Sequence, residues 1–318
     1  MRKTSTSGTK RKKNRPKTKL GIPDLEHSKA AVLRSLASPD SRCGYQHAID
    51  EFVAWYCSEP RLAFNQTVVL RYRFYLEERG LAPGTINVRM AAVRRLAYEA
   101  ADSGLLSPEL AAGIHRVKGV RKLGSRLGNW LTANEALAFW QSPDGRTLTG
   151  KRNRAMLAIL LGCGLRRREL AELTFEGLQC REERWAIVDL VGKGRHIRTV
   201  PVPNWVKETL DAWLAATGIS SGPLFRCVCR ADKLWGHGIS EKTVWHVVKK
   251  GAMSLNIPRL APHDLRRSCA RLCHDAGGEL EQIQFLLGHV SVQTTERYIG
   301  CKQHLRMAVN DRLGIEPG

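Results

Sequence analysis

Apolar residues recur at spacings of three and four from Ser28 to about Ile114, the period of helices buried along one side. Gln46–Tyr56 (QHAIDEFVAWY) and Val69–Glu78 carry the pattern most clearly. Leu81-Ala-Pro-Gly84 predicts a turn, with Thr85 placed to cap a helix over Ile86–Ala101. The apolar side of that helix is expected to hold Val88, Ala92, Val93, Leu96 and Ala97, with Arg89, Arg94 and Arg95 partly off it. Nothing in this stretch alternates as a strand would, so a small all-helical domain is expected over residues 21–115.

The period is lost from Arg116 to Asn129 (RVKGVRKLGSRLGN), where Gly, Lys and Arg dominate. Residues 116–130 therefore predict a basic interdomain linker whose charge suits a phosphate backbone. Thr132-Ala-Asn-Glu135 is a capping box, so a second domain is expected over 131–318. Its longest apolar run, Ala155–Leu165, lies between Arg154 and Arg166. That is well short of the ~20 residues that cross a bilayer and reads as a buried helix. Trp185–Val202 alternates as two short strands around Gly192-Lys193-Gly194. His304–Leu313 is expected to be a helix with Leu305, Ala308, Val309 and Leu313 in a stripe. The expected fold class is mainly α with a small β-hairpin or sheet (α+β), in two domains.

Composition narrows the function. The chain has 318 residues, 51 Lys and Arg against 30 Asp and Glu, and a net charge of +21. This excess fits a polyanionic partner, nucleic acid or an acidic membrane surface. Nine basic residues and no acid fall in the first twenty, which predicts a disordered basic arm over 1–20 with nothing to form a core. No apolar stretch follows it, so no secretory signal is expected. Nine cysteines, scattered and odd in number, suit reduced thiols in a cytoplasmic protein.

Several chemistries lack their residues. There is no GxxxxGK[ST] loop, no GxGxxG opening a helix, and no acidic cluster for paired magnesium ions. Cys227, Cys229 and His237 are a fragment of a zinc site without its second pair, Cys269 and Cys273 lying on a helix that reads as buried, so no metal is expected.

What the chain does carry is a set of cations and, after them, a tyrosine. Arg166 stands at the apolar–polar boundary in Gly164-Leu165-Arg166, with Glu169 three residues on to hold its guanidinium; the same spacing also describes a surface ion pair. Lys193 sits between glycines at a hairpin tip, where it can swing. Pro262-His263-Asp264-Leu265-Arg266 opens a helix with His263 and Arg266 one turn apart on one face. Gly288 ends a helix as a left-handed cap, His289 falls in the bend, and Ser291 or a neighbour caps the next helix, which carries Tyr298. With 10 His and 6 Tyr, a His followed nine residues later by Tyr is expected only about 0.2 times by chance.

In this order the pieces closely resemble the phage integrase, or tyrosine recombinase, family, whose signature runs GLR-x-x-E, a GKG hairpin lysine, HDLR, LGH and a nucleophilic Tyr. The resemblance spans roughly residues 28 to 312, with the helical first domain similar to the family's core-binding domain. Cys163 replaces the residue, often Thr, that precedes GLR. The resemblance implies a two-domain clamp on double-stranded DNA, cleavage through a 3′-phosphotyrosyl link, and strand exchange through a Holliday junction in a homotetramer. It implies Arg166 and Arg266 holding the scissile phosphate and His289 donating to it. His263 would position the phosphate and take the proton of Tyr298, and Lys193 would protonate the leaving 5′-oxygen. No cofactor is implied, and accessory DNA-bending proteins are compatible with it. Arg89, Arg94, Arg95, Arg121 and Lys122 are expected DNA contacts. A type IB topoisomerase shares this chemistry. A non-catalytic DNA binder or a membrane-surface protein would leave the ordered residues unexplained.

Overall fold

A computed structural model describes residues 16–58, 63–121, 129–192 and 196–299, with backbone alone for Arg297 and Tyr298. The chain divides into two compact units, Met1–Ser125 and Arg126–Gly318.

The first unit is built from α1 (Ile22–Ser35), α2 (Pro39–Ser58), α3 (Gln66–Glu78), α4 (Pro83–Asp102) and α5 (Pro108–His115). Asn65 and Ser107 cap α3 and α5 by accepting from the amides of Val68 and Leu110. Phe52, Phe64 and Tyr72 centre the core, with the Phe52 and Tyr72 rings edge-on at 5.0 Å. Three sequence expectations change. Helix α4 starts at Pro83 rather than after Thr85, because proline at the first helical position fixes φ and lacks an amide that would go unbonded there. Val88 is 52 % exposed, whereas Ile86, Arg89 and Met90 turn inward with Val93, Leu96 and Ala97. The end of the expected arm belongs to the body: Leu20 is buried in the core, and Lys17 N–H donates to the Leu105 carbonyl at 2.9 Å.

The second unit opens with α6 (Ala133–Gln141), started by the Thr132–Glu135 box, then α7 (Leu148–Gly162) and the short α8 (Arg167–Ala171). Helix α7 is buried on every side from Ala155 to Leu161, so it is the axis of the unit. An antiparallel sheet follows in the order β1 (Leu178–Arg181), β2 (Arg184–Val191), β3 (Ile197–Pro201). β2 and β3 match the expected hairpin. β1 was not expected, because its turn is Glu182-Glu183, both at positive φ, in place of the Gly or Asn that usually marks such a turn. Then come α9 (Asn204–Thr217), a two-residue pair β4 (Cys227–Val228) and β5 (Leu234–Trp235), α10 (Glu241–Ser254), α11 (Pro262–Asp275), α12 (Leu280–Leu287) and α13 (Val292–Ile299). Ala270, Ile283, Leu287 and Ile299 form a small separate core that ties α13 to α11 and α12. No helix among the described residues is long and apolar enough to cross a membrane.

Candidate active site

Three chain reversals bring the charged residues together. The first follows α7, where Gly164 adopts φ 60° and the chain turns to present Arg166 at the head of α8. Glu169, one turn on, accepts from the Arg166 amide at 2.8 Å and from Arg166 Nη1 at 2.6 Å. This is no surface ion pair, since the Glu169 side chain is only 5 % exposed. Arg198 on β3 joins the same carboxylate, Nη1 to Oε1 at 3.0 Å and Nη2 to Oε2 at 2.8 Å. Burial pushes the Glu169 carboxyl up, but the bonds from Arg198 and the Arg166 amide outweigh it and hold it at about 2.

The second reversal leads into α11, whose first turn carries Pro262, His263 and Arg266. Arg266 donates through Nη1 to the Gly164 carbonyl at 2.5 Å and through Nη2 to the Leu287 carbonyl. At 1 % exposure it forms the floor of the site. The Leu287 carbonyl is an unpaired helix-end acceptor, so Arg266 seals α12 while pinning the turn before α8.

The third is the bend between α12 and α13. Gly288 caps α12 at φ 61°, as expected, and Ser291 immediately precedes α13. His289 Nδ1 lies 3.0 Å from the hydroxyl of Thr295, which is fully buried on α13. Arg166 Nη2 approaches the Gly288 carbonyl at 3.4 Å, and Arg198 Nε donates to the Leu286 carbonyl at 3.1 Å.

These groups share one field. Burial, then Arg267, Arg266 and Arg166, push the His263 imidazole down to about 4, although the residue as a whole is exposed. Burial, then Arg266, Arg166, His263 and Arg198, bring His289 to about 4 as well. Both rings are therefore neutral near pH 7 and able to accept a proton. Arg166, His263 and Arg266 line a cleft of about 430 Å³, bordered also by Arg167, Glu241 and Trp245. Its chemistry suits an anion: cations fixed by the fold meet developing negative charge without reorganising.

Lys193, Lys122 and the Tyr298 side chain fall outside the described residues, as does the expected helix at 304–313. The Tyr298 backbone lies in α13, and the neighbouring Ile299 carbonyl accepts from Arg271 Nη1 at 2.9 Å. The expected DNA-contact arginines divide. Arg89 is buried against Glu51, and Arg94 donates to the Val117 carbonyl, so neither offers an open guanidinium. Arg95 is half exposed but pairs with Glu99 at 2.8 Å, and Arg121 is exposed. Among the described residues no three His, Cys, Asp or Glu side chains gather as a metal cluster.

Sequence reasoning missed Arg198 and Thr295. The signal for Arg198 was present, because it shares strand parity with the buried Val200 and pairs with Leu190, so an arginine stands where an apolar residue is due. Thr295 had none, being one of two adjacent threonines in a short polar helix.

A family profile described as "Phage integrase family" matches residues 129–304. The chain is 32 % identical to tyrosine recombinase XerC of Xylella fastidiosa (strain M23) over 257 residues, covering 80 % of each protein. It is 31 % identical to tyrosine recombinase XerD of Halalkalibacterium halodurans over 247 residues, 76 % of this chain and 79 % of that one. In fold it is similar to a XerH site-specific recombinase bound to palindromic difH substrate, with TM-score 0.67, 19 % identity, and 88 % and 81 % of the two chains covered. A lambda integrase (75–356) dimer bound to a COC′ core site matches with TM-score 0.65, 16 % identity, and 87 % and 94 % covered.

Proposed function

Because the chain belongs to the phage integrase family of tyrosine recombinases, we propose that the cationic cleft of its second unit receives one phosphodiester of duplex DNA and that Tyr298 attacks it. The observation that carries this reading is the gathering of Arg166, His263, Arg266 and His289, 123 positions apart at the extremes (289 − 166), around one site.

The step follows from what each group can do. The Tyr298 oxygen attacks phosphorus and the bond to the 5′-oxygen breaks, leaving a 3′-phosphotyrosyl link and a free 5′-hydroxyl. A phenol is a weak nucleophile near neutral pH, and the neutral ring of His263 takes its proton. Lys193 gives a proton to the departing 5′-oxygen. Charge builds on the non-bridging oxygens, where Arg166 and His289 donate and Arg266 adds fixed positive potential from the floor. The phosphotyrosyl link keeps the energy of the broken bond, so a second 5′-hydroxyl reverses the step and joins a new partner strand with no ATP.

The first unit serves as the core-binding domain, and with the basic linker and arm it closes a clamp on the duplex. Four protomers exchange strands through a Holliday junction, with accessory DNA-bending proteins where the site needs them. The setting is a bacterial or phage nucleoid in the cytoplasm. The curated relatives named above, tyrosine recombinases XerC and XerD, support this reading.

The test is covalent capture. The protein is mixed with fragmented genomic DNA of its source carrying random nicks, denatured in detergent with EDTA present, and the attached DNA is sequenced. One enriched duplex with inverted half-sites is expected. Absence of any detergent-resistant adduct refutes the proposal.

A further inference from the structure

Arg198 has no part in the step just described, yet it is among the most constrained side chains near the site. It is 9 % exposed, and all three of its guanidinium nitrogens are engaged. With Arg166 it fills the four acceptor positions of the Glu169 carboxylate: the Arg166 amide, Arg166 Nη1, and Arg198 Nη1 and Nη2. Its stem lies against the bend that presents His289, because a Cβ added at Gly288 would stand 2.8 Å from Arg198 Cδ.

Arg166 needs a partner to fix its guanidinium, and Glu169 supplies one. A lone carboxylate would also cancel the charge that a phosphate has to meet. Two guanidiniums on one carboxylate leave a net charge of one positive unit. Arg198 is too buried to reach a substrate, so it faces the carboxylate while Arg166, with 27 % of its side chain exposed, faces the cleft.

We propose that Arg198 is a positioning residue that neutralises Glu169 from behind, so that Arg166 stays clasped in place and still offers its full positive charge to the scissile phosphate. The inference rests on the recombinase reading and names a residue beyond the six assigned to the reaction.

The experiment is a double-substitution cycle read by single-turnover adduct formation on the nicked duplex recovered by covalent capture. Wild type must first form the adduct on that duplex; if it does not, the recombinase reading fails and not this one. R198M should cleave about 10- to 100-fold more slowly, less than the ~10²–10³ lost with a direct transition-state donor. In R198M/E169Q the uncompensated negative charge is gone, and most of the lost rate should return. Removing both partners of a buried pair also relieves the fold, so rates are compared at a temperature where melting shows every variant fully folded; a residue that merely braced the fold would then show no rate loss in R198M. R198K keeps the charge but not the two-pronged contact to both carboxylate oxygens, so it should lose some rate yet keep about a tenth or more of the wild-type value, and it carries the test alone if thermal melting shows that R198M has lost its fold. Wild-type rate in R198M, no recovery in a folded double variant, or an R198K as slow as R198M each overturns the proposal.

Discussion

Acid should weaken this protein through two named rings. His263 and His289 stand at about 4 in the folded chain against 6.5 for an ordinary imidazole. Between those values the unfolded chain binds more protons than the folded one. Stability is therefore full above about pH 6.5 and falls as pH drops toward 4. Taken whole, each shift would be worth about 3.4 kcal/mol, of which about 2 is lost by pH 5. Both rings are partly open to solvent, and screening reduces this to about 1 kcal/mol each, or about 2 for the pair. Urea denaturation at pH 7 and pH 5, run on wild type and on H263N/H289N, measures it. Glu169, held at about 2 against 4.5, gives up its contribution only below that window. Asp264, raised by burial, acts in the opposite sense but equally in both proteins. The double variant should lose about 2 kcal/mol less than wild type between the two pH values. Equal losses would mean that the rings are not held neutral by the body and the guanidiniums, and the base role of His263 would lose its footing.

Three further outcomes are expected. Gly164→Ala should cost about 2–4 kcal/mol in urea denaturation, since the left-handed backbone disfavours a Cβ and packing resists it; that Cβ would lie 2.9 Å from Leu287 Cδ2 and 3.2 Å from Cys269 Sγ, and a wild-type midpoint would contradict the packing described. Thr295→Val removes the hydroxyl 3.0 Å from His289 Nδ1 at nearly constant volume, so adduct formation should slow about tenfold, the worth of one such bond; an unchanged rate would show that the ring needs no anchor. Lys193→Ala should cleave slowly and recover when sulfur replaces the leaving 5′-oxygen, because a thiolate leaves without a proton; lack of recovery would take the acid role from Lys193.

Much of this was legible in the sequence because local chemistry and tertiary role coincided. The capping box at Thr132, the apolar run of α7 from Ala155 and the glycine cap at Gly288 each specify a local feature that packing then uses. The site residues were legible as an ordered set, not singly, since His263 or Arg166 alone matches an ordinary surface residue. Buried charge was the hardest feature to foresee, because an arginine enters a core only where a distant partner meets it. Arg89, Arg198 and Arg266 are held in the interior by Glu51, Glu169 and the carbonyls of Gly164 and Leu287, and those partners lie 38, 29 and up to 102 positions away. The strand β1 was hidden because its turn is made by two glutamates in a conformation usually left to glycine or asparagine.

The central claim is that one phenol in α13 becomes esterified to the DNA backbone. Wild-type adduct on the captured duplex is digested with nuclease and trypsin, and the nucleotide-bearing peptide is sequenced by mass spectrometry. The account predicts a single modified residue, Tyr298, and no adduct from Y298F that still binds the duplex. A nucleotide on any other residue, or an undiminished adduct from Y298F, would contradict it.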